Sequence, residues 1–455
     1  MEHPPSARVI ALDNLRVVAM LLGLVIHGVL PYTASGLVGF PVRDTSRHIL
    51  ADAAFLGIHD FRMQLFFLLA GFAGTALAAR RGVGEFVRNR VMRIGLPMAV
   101  AVLLIGPLMH LLFAWHAADR GQTWNPDHAG GWVGPNFHLW FLYYLLLVCL
   151  PLVGVLACRR FIPEGVVTAF DTTVRRVAVS WWKLPLLSLL TVPILWDMKA
   201  WLVDTPTTWI PSLAVYLYYL GFFLTGAVLY RHRDLLPTIG KRWPIQLGVA
   251  NVAILPLMLW MTITGNWWQR ELPSPAPTWL LAWKAVAITL DTLYTWLCVA
   301  GLIGLFQRYF AKQAAWSKYL SGASYWCYLA GFPIQAALQV WFSRVGLPGV
   351  TEFFLVNALT FLVLLVLYEL CVRRTWIGWV LNGKRVGVER LPAPRPAGTG
   401  FPQPKVRPQP AVVPTAGERA KPRVDNQQAP RPVRRTPEIR LDPARPQPKT
   451  RGTGA

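Results

Sequence analysis

"LDNLRVVAMLLGLVIHGVL", residues 12–30, is apolar over nearly its whole length, yet it contains Arg16 and His27. A run this long and apolar is typical of a helix that crosses a membrane. Ionisable side chains inside such a helix normally face a cavity or a partner. The two residues are eleven positions apart, so they project to nearly the same side, about 16 Å from each other along the axis. One face of this helix is therefore predicted to carry both. The alternatives are a snorkelling anchor for Arg16 and, for His27, a histidine that only bridges two helices by hydrogen bonds.

The composition of the whole chain is that of a membrane protein. The 455 residues are 54% hydrophobic and include 21 tryptophans, and the mean hydropathy is +0.40, which excludes an ordinary soluble enzyme of this size. The net charge of +23 is divided between a basic C-terminal segment and the connections between apolar stretches. This distribution does not indicate nucleic-acid binding.

Apolar stretches of spanning length recur along the chain. We predict an all-α, polytopic membrane protein with about ten transmembrane helices, at residues 15–32, 57–79, 93–116, 137–158, 181–199, 210–230, 245–264, 279–305, 318–343 and 351–372. Alternate connections hold 17 and 7 lysines or arginines. Because short cytoplasmic loops carry the excess of positive charge, both termini are predicted to be cytoplasmic.

The chain is predicted to divide into a membrane domain, residues 1–390, and a tail, residues 391–455. The tail has 15 prolines, many basic residues and one aromatic residue, Phe401. Such a segment cannot form a core, so we predict a disordered, Pro/Arg-rich cytoplasmic tail that is attracted to anionic membrane lipids. The five cysteines have no paired or metal-binding spacing, so neither a disulfide nor a metal site is predicted.

A second basic cluster leads into the third helix. "EFVRNRVMRIGLP", residues 85–97, carries Arg88, Arg90 and Arg93. Arg90 and Arg93 are three residues apart and share a helix face, and arginine binds phosphate oxygens in a bidentate manner. Ordinary charge on a cytoplasmic loop is the alternative interpretation. Together with Arg16, these arginines predict an anion site at the cytoplasmic ends of the first and third helices.

Polar and aromatic residues meet at the outer ends of two other helices. "GIHDFRMQLFFLLAGF", residues 57–72, contains His59, Asp60 and Arg62, and "NFHLWFLYYLL", residues 136–146, contains His138 and Trp140. A sugar-binding site at the outer surface combines such residues, because aromatic rings stack on sugars while polar side chains bind their hydroxyl groups. An aromatic belt at the membrane interface is the alternative.

The eighth predicted helix carries Asp291 near its middle and Lys284 roughly 10 Å away along the axis. An aspartate in the middle of a membrane helix costs about 2.5–3.5 kcal/mol on insertion scales. We therefore expect Asp291 to face the protein interior, in a structural pairing rather than a catalytic role.

These motifs together resemble the acyltransferase type 3 family of integral membrane acyltransferases, in particular its glucan biosynthesis protein C-like branch. The resemblance rests on the Arg-x10-His and Arg-x-x-Arg pairs, on the two outer motifs above, on "SYWCYL" at 324–329 and on "VRRTWIGWVLNGKR" at 372–385. They follow the family's order across about 375 residues. The chain departs from the family pattern at Asn14, Gln64 and Ala70, and at Gly331, where a histidine is expected.

The resemblance implies an O-acyltransferase of the bacterial inner (plasma) membrane. It would move an acyl group other than an amino-acyl group from cytoplasmic acyl-CoA to a carbohydrate hydroxyl at the outer face; in the named branch this resembles succinylation of periplasmic glucans. Acyl-CoA would be a co-substrate, and no permanently bound cofactor is expected. The carbohydrate acceptor, membrane lipids and polysaccharide-assembly proteins are the implied partners.

The predicted roles divide along the first helix. Arg16, with Arg88, Arg90 and Arg93, would hold the donor phosphates, and Arg16 and His27 form the predicted catalytic pair, with a neutral His27 taking the hydroxyl proton. The outer polar residues would bind the acceptor. Two alternatives remain: a transporter or flippase whose path these residues line, and a non-catalytic membrane partner in polysaccharide assembly.

Overall fold

The fold is a bundle of helices. A computed structural model describes residues 7–36, 39–129, 131–135, 137–198, 201–264 and 272–382. All regular secondary structure within these ranges is helical, which confirms the all-α prediction. The predicted tail, residues 391–455, lies outside them.

Twelve helices are labelled here in chain order. They are α1 (Ala7–Val29), α2 (Ile49–Arg81), α3 (Val83–Ala118), α4 (Trp140–Cys158), α5 (Glu164–Val179), α6 (Lys183–Trp196), α7 (Leu213–Arg231), α8 (Trp243–Ile263), α9 (Thr278–Tyr309), α10 (Ala315–Phe342), α11 (Gly349–Val372) and α12 (Trp376–Asn382). In the described part of the chain, α1 to α4, α7, α8, α9 and α11 are long and apolar enough to cross a membrane. The protein is therefore a multi-pass membrane protein, as predicted.

Two of the ten predicted spans differ from this set. The fifth, residues 181–199, is only the 14-residue helix α6, about 21 Å long against a hydrocarbon core of about 30 Å. Since α6 follows α5 at a bend of 113°, the two count as one span at most. The ninth, residues 318–343, is the 28-residue helix α10, which is long enough but not among the sufficiently apolar helices.

The polar side chains of α10 explain its lower hydropathy, because they bind α1 inside the bundle. Gln335 Nε2 donates to the Leu24 carbonyl at 2.9 Å, and Gln339 Nε2 donates to the His27 carbonyl at 2.9 Å. Amides that are buried and hydrogen-bonded in this way stabilise helix contacts within a membrane. These hydrogen bonds from α10 therefore fix the position of α1, the helix that carries Arg16 and His27.

Asp291 faces the protein interior, as expected, with 1% of its surface exposed, but Lys284 is not its partner. Lys284 Nζ donates to the carbonyls of Trp196 and Met198, at 2.8 and 3.2 Å. It thereby satisfies carbonyls at the C-terminal end of α6. The charged group that acts on Asp60 of α2 is the carboxylate of Asp291, and two carboxylates repel each other.

Candidate active site

A cavity of about 1010 Å³ lies between α1, α2, α3, α4 and α10. Eight of the ten predicted site residues line it: Arg16, His27, His59, Arg62, Arg90, Arg93, His138 and Trp140. On α1, Arg16, Met20, Gly23 and His27 all face it, because spacings of three, four and seven residues follow one helix face. We call the part around Arg16 the arginine end and the part around His27 the histidine end.

Three arginines from α1 and α3 converge at the arginine end. Arg16 Nη2 donates to Ser321 Oγ on α10 at 2.9 Å. The guanidinium of Arg90 lies 5.0 Å from the ring centroid of Phe86, and its buried Nε has no hydrogen-bond partner. With Arg93 lining the same region, this end presents the positive charge of three guanidinium groups to the cavity.

The backbone of α3 changes form at this cluster. Val91–Gly95 is a π-helical turn, in which the Leu96 N–H donates to the Val91 carbonyl. Such turns occur often at functional sites and add a residue to the local repeat. The turn begins directly after Arg90 and contains Arg93, and both side chains line the cavity.

His27 presents an unengaged imidazole to the histidine end. Its ring centroid lies 4.6 Å from that of Phe332, and its backbone carbonyl is held by Gln339. Within the described ranges, no group hydrogen-bonds the His27 ring, which lines the cavity. The imidazole is therefore oriented by packing and remains available to a substrate.

His138 and His27 both pack against the ring of Phe332. The ring centroids of His138 and Phe332 are 5.5 Å apart. Its Nε2 is 3.1 Å from the Leu329 carbonyl, and its own carbonyl accepts a hydrogen bond from the Tyr328 hydroxyl. Because a carbonyl only accepts, Nε2 carries the proton and Nδ1 is left as an acceptor. Nδ1 is buried and has no partner among the described residues.

Two further polar residues complete the histidine end. The His59 ring stacks on Phe55, with centroids 5.0 Å apart and 19° between the planes. Arg62 lies one helical turn further along α2 and lines the same cavity. The charge of Arg62 acts on both His27 and His59, so the guanidinium and the imidazoles share one electrostatic environment.

The structure does not bring Asp60 or Arg88 to the cavity with the other predicted site residues. Asp60 is fully buried on the side of α2 that faces α9, where Thr295 Oγ1 donates to its carbonyl at 2.5 Å. The Arg88 side chain is 78% exposed and lies 3.6 Å from Glu85. Neither residue lines the cavity that Arg62 and Arg90 reach.

Several lining residues were not predicted as site residues. They include Asn89, Ser321, Ser324, Tyr325, Tyr328, Phe332 and Asn382. The signal for four of them was "SYWCYL" and the serine shortly before it, since the motif lies on the face of α10 that lines the cavity. Among the described residues, no group of three or more His, Cys, Asp or Glu is arranged to hold a metal ion.

Gly331 lies on α10 at the position where a histidine was expected, and the side chains of α1 and α11 pack closely against it. A Cβ there would be 2.8 Å from Leu24 Cδ2 on α1 and 3.7 Å from Leu364 Cδ1 on α11. In this chain the position therefore serves close helix packing. The ring nitrogens at the histidine end come from His27, His59 and His138.

Comparisons with known proteins identify the same family that the sequence motifs resemble. The family described as "Acyltransferase domain" matches residues 9–369. The chain is 26% identical over 410 residues to "Glucans biosynthesis protein C" of Salmonella schwarzengrund (strain CVM19633) and to that of Salmonella typhi, covering 84% of this chain and 97% of each relative. The protein of the same name from Salmonella gallinarum (strain 287/91 / NCTC 13346) is 25% identical over 412 residues, with the same coverage. No solved structure matches the chain.

Proposed function

Because this chain belongs to the acyltransferase domain family, we propose that it transfers a succinyl group from cytoplasmic acyl-CoA to a hydroxyl of a periplasmic or cell-surface glycan. The names of the relatives, which refer to glucan biosynthesis, support a glycan acceptor. In this proposal the protein lies in the bacterial inner membrane with both termini in the cytoplasm. The arginine end then faces the cytoplasm and the histidine end lies toward the outer surface.

One observation carries the proposal: a single cavity contains both the arginine cluster and the unengaged His27 imidazole. Arginine side chains bind phosphate oxygens through several hydrogen bonds at once. Arg16 and His27 are about 16 Å apart along α1, which is comparable to an extended pantetheine arm. A coenzyme A whose phosphates are bound by Arg16, Arg90 and Arg93 would therefore present its thioester near His27.

The proposed reaction is a direct acyl transfer. The acceptor hydroxyl oxygen attacks the thioester carbonyl carbon; a carbon–oxygen bond forms and the carbon–sulfur bond breaks. His27 takes the hydroxyl proton and passes it to the departing thiolate, which leaves as free coenzyme A. Such general base catalysis contributes about 10²–10⁴-fold.

The test is transfer by the purified protein in lipid nanodiscs. Succinyl-CoA labelled in the succinyl group and a short glucan are supplied, and free thiol and labelled glucan are measured. We expect both products to appear together, only when both substrates are present, and to be lost in His27→Ala. A transporter or a non-catalytic partner would release no coenzyme A, and that result would contradict the proposal.

A further inference from the structure

Arg62 is a cation inside the bundle, and the part of the chain that the structure describes provides no counter-ion for it. None of the hydrogen bonds or ion pairs among the described residues involves its guanidinium. Its Nε is buried without a partner, while the residue lines the cavity. A buried charge without a partner is strongly unfavourable. Arg62 therefore leaves a positive charge available to a ligand in the cavity.

The neighbours of Arg62 cannot supply the missing negative charge. The ionisable side chains that its charge acts on include His27, His59 and His138, none of which forms an anion. Tyr219 and Tyr328 are the other polar neighbours, and a phenol is neutral near pH 7. One acidic residue, Asp204, lines the cavity, but its charge acts on Lys284 and it is not among the groups that act on Arg62. An anionic group of a substrate is thus the complement that this site lacks.

The position of the guanidinium indicates which substrate carries that group. Arg62 Nη1 occupies the space that a side chain at Gly23 would fill. Gly23 precedes His27 by one helical turn, about 6 Å along α1 toward Arg16. The guanidinium thus lies on the donor's side of His27, between the phosphate-binding arginines and the proposed reaction point. A donor that reaches His27 from the arginine end would place its acyl chain beside Arg62.

We propose that Arg62 binds the distal carboxylate of a dicarboxylic acyl group and so selects a charged acyl donor. The inference rests on the proposed acyl transfer, and it assigns Arg62 to the donor rather than to the carbohydrate acceptor. A guanidinium pairs with a carboxylate through two parallel hydrogen bonds. A site built for such a group discriminates against an analogue without it, because the buried donor would be left unpaired.

The test compares two donors with the same four-carbon chain, succinyl-CoA and butyryl-CoA, of which only the first carries a distal carboxylate. Coenzyme A release in the presence of a glucan is measured for the native protein, Arg62→Gln and Arg62→Lys. Arg176→Gln, which removes an exposed arginine on α5, is the matched control. We expect kcat/KM of the native protein and of the control to favour succinyl-CoA by about 10- to 100-fold, the range for hydrogen bonds to charged groups.

Arg62→Gln is expected to remove this preference mainly by lowering the rate with succinyl-CoA, and Arg62→Lys to retain part of it. Equal use of both donors by the native protein would overturn the inference without affecting the proposed acyl transfer, and this comparison needs no variant to fold. An equal fall with both donors in Arg62→Gln would also overturn it, because Arg62 would then act on the reaction centre. Release from neither donor by the native protein would overturn the proposed function, and the inference with it.

Discussion

At the scale of single residues, Asp60 and Asp291 form an acidic pair that the site does not use. The two carboxylates come from α2 and α9 and are almost fully buried. None of their four oxygens has a hydrogen-bond partner among the described residues. Two adjacent negative charges in a membrane interior repel each other and lack solvation. The folded protein is therefore expected to hold at least one of the carboxyl groups neutral.

Asp291→Asn should consequently leave the protein at least as stable as the native form. Asparagine has the same shape as aspartate but cannot ionise, so the variant avoids the cost of burying a negative charge or of protonating the carboxylate. The measurement is the thermal unfolding midpoint in detergent, with Asp127→Asn on the surface as the control. A midpoint well below that of the control would contradict this account and indicate that the fold requires the ionised carboxylate of Asp291.

Helix periodicity explains which site residues could be predicted from the sequence. The spacing between Arg16 and His27 placed both on one face of α1, and the structure places both in one cavity. Asp60 and Arg88 were grouped with their neighbours because they share a motif, although each points away from the face that its neighbours use. The sequence analysis predicted that Arg62 binds the carbohydrate acceptor. The linear sequence does not show that its guanidinium lies against Gly23 on α1.

At the scale of helices, α2 and α7 approach each other so closely that only glycine fits at their contact. A Cβ on Gly226 would overlap the Leu68 carbonyl, and a Cβ on Gly71 would overlap the Phe223 carbonyl. Small residues at such positions let helix backbones pack directly in a membrane. This contact fixes α2, which carries His59 and Arg62.

Gly226→Ala should therefore destabilise the protein by roughly 1–3 kcal/mol, the usual cost of overpacking, because backbone atoms must move to admit the methyl group. Gly221→Ala on the same helix is the matched control: its Cβ would meet nothing within 4 Å, and alanine is the better helix former. Thermal unfolding of both variants in one detergent checks this. If Gly226→Ala is as stable as Gly221→Ala, the close packing of α2 on α7 is wrong.

Hydrophobicity alone could not predict every helix correctly. It located the eight long apolar helices, but it gave a full span to α6, whose 14 residues follow a sharp bend. The π-helical turn at Val91–Gly95 was not visible either, because it depends on how α3 packs and not on a residue pattern. In α10, polar residues that bind α1 reduce the hydropathy of a helix that belongs to the core.

At the scale of the whole molecule, the distribution of arginine and lysine predicts which end of the cavity faces the cytoplasm. Ser46 lies in the connection before α2 and Gly84 near the start of α3, and both are exposed. A cysteine at position 46 should react with an impermeant thiol reagent in intact cells, whereas one at position 84 should not. The background should lack Cys158 and Cys371, which are exposed. Labelling at position 84 alone would reverse the proposed orientation.

The central claim is that donor binding and chemistry occur at opposite ends of one cavity along α1. The most direct measurement is donor affinity by calorimetry together with steady-state rates, for His27→Ala and Arg93→Ala in the same nanodiscs, with thermal unfolding recorded for both. His27→Ala should lower kcat by about 10²-fold or more with little change in donor affinity, because its proton transfer acts only in the transition state. Arg93→Ala should weaken donor binding by about 1.5–3 kcal/mol and lower kcat less. Full turnover by folded His27→Ala, or an unchanged donor affinity in Arg93→Ala, would contradict the account.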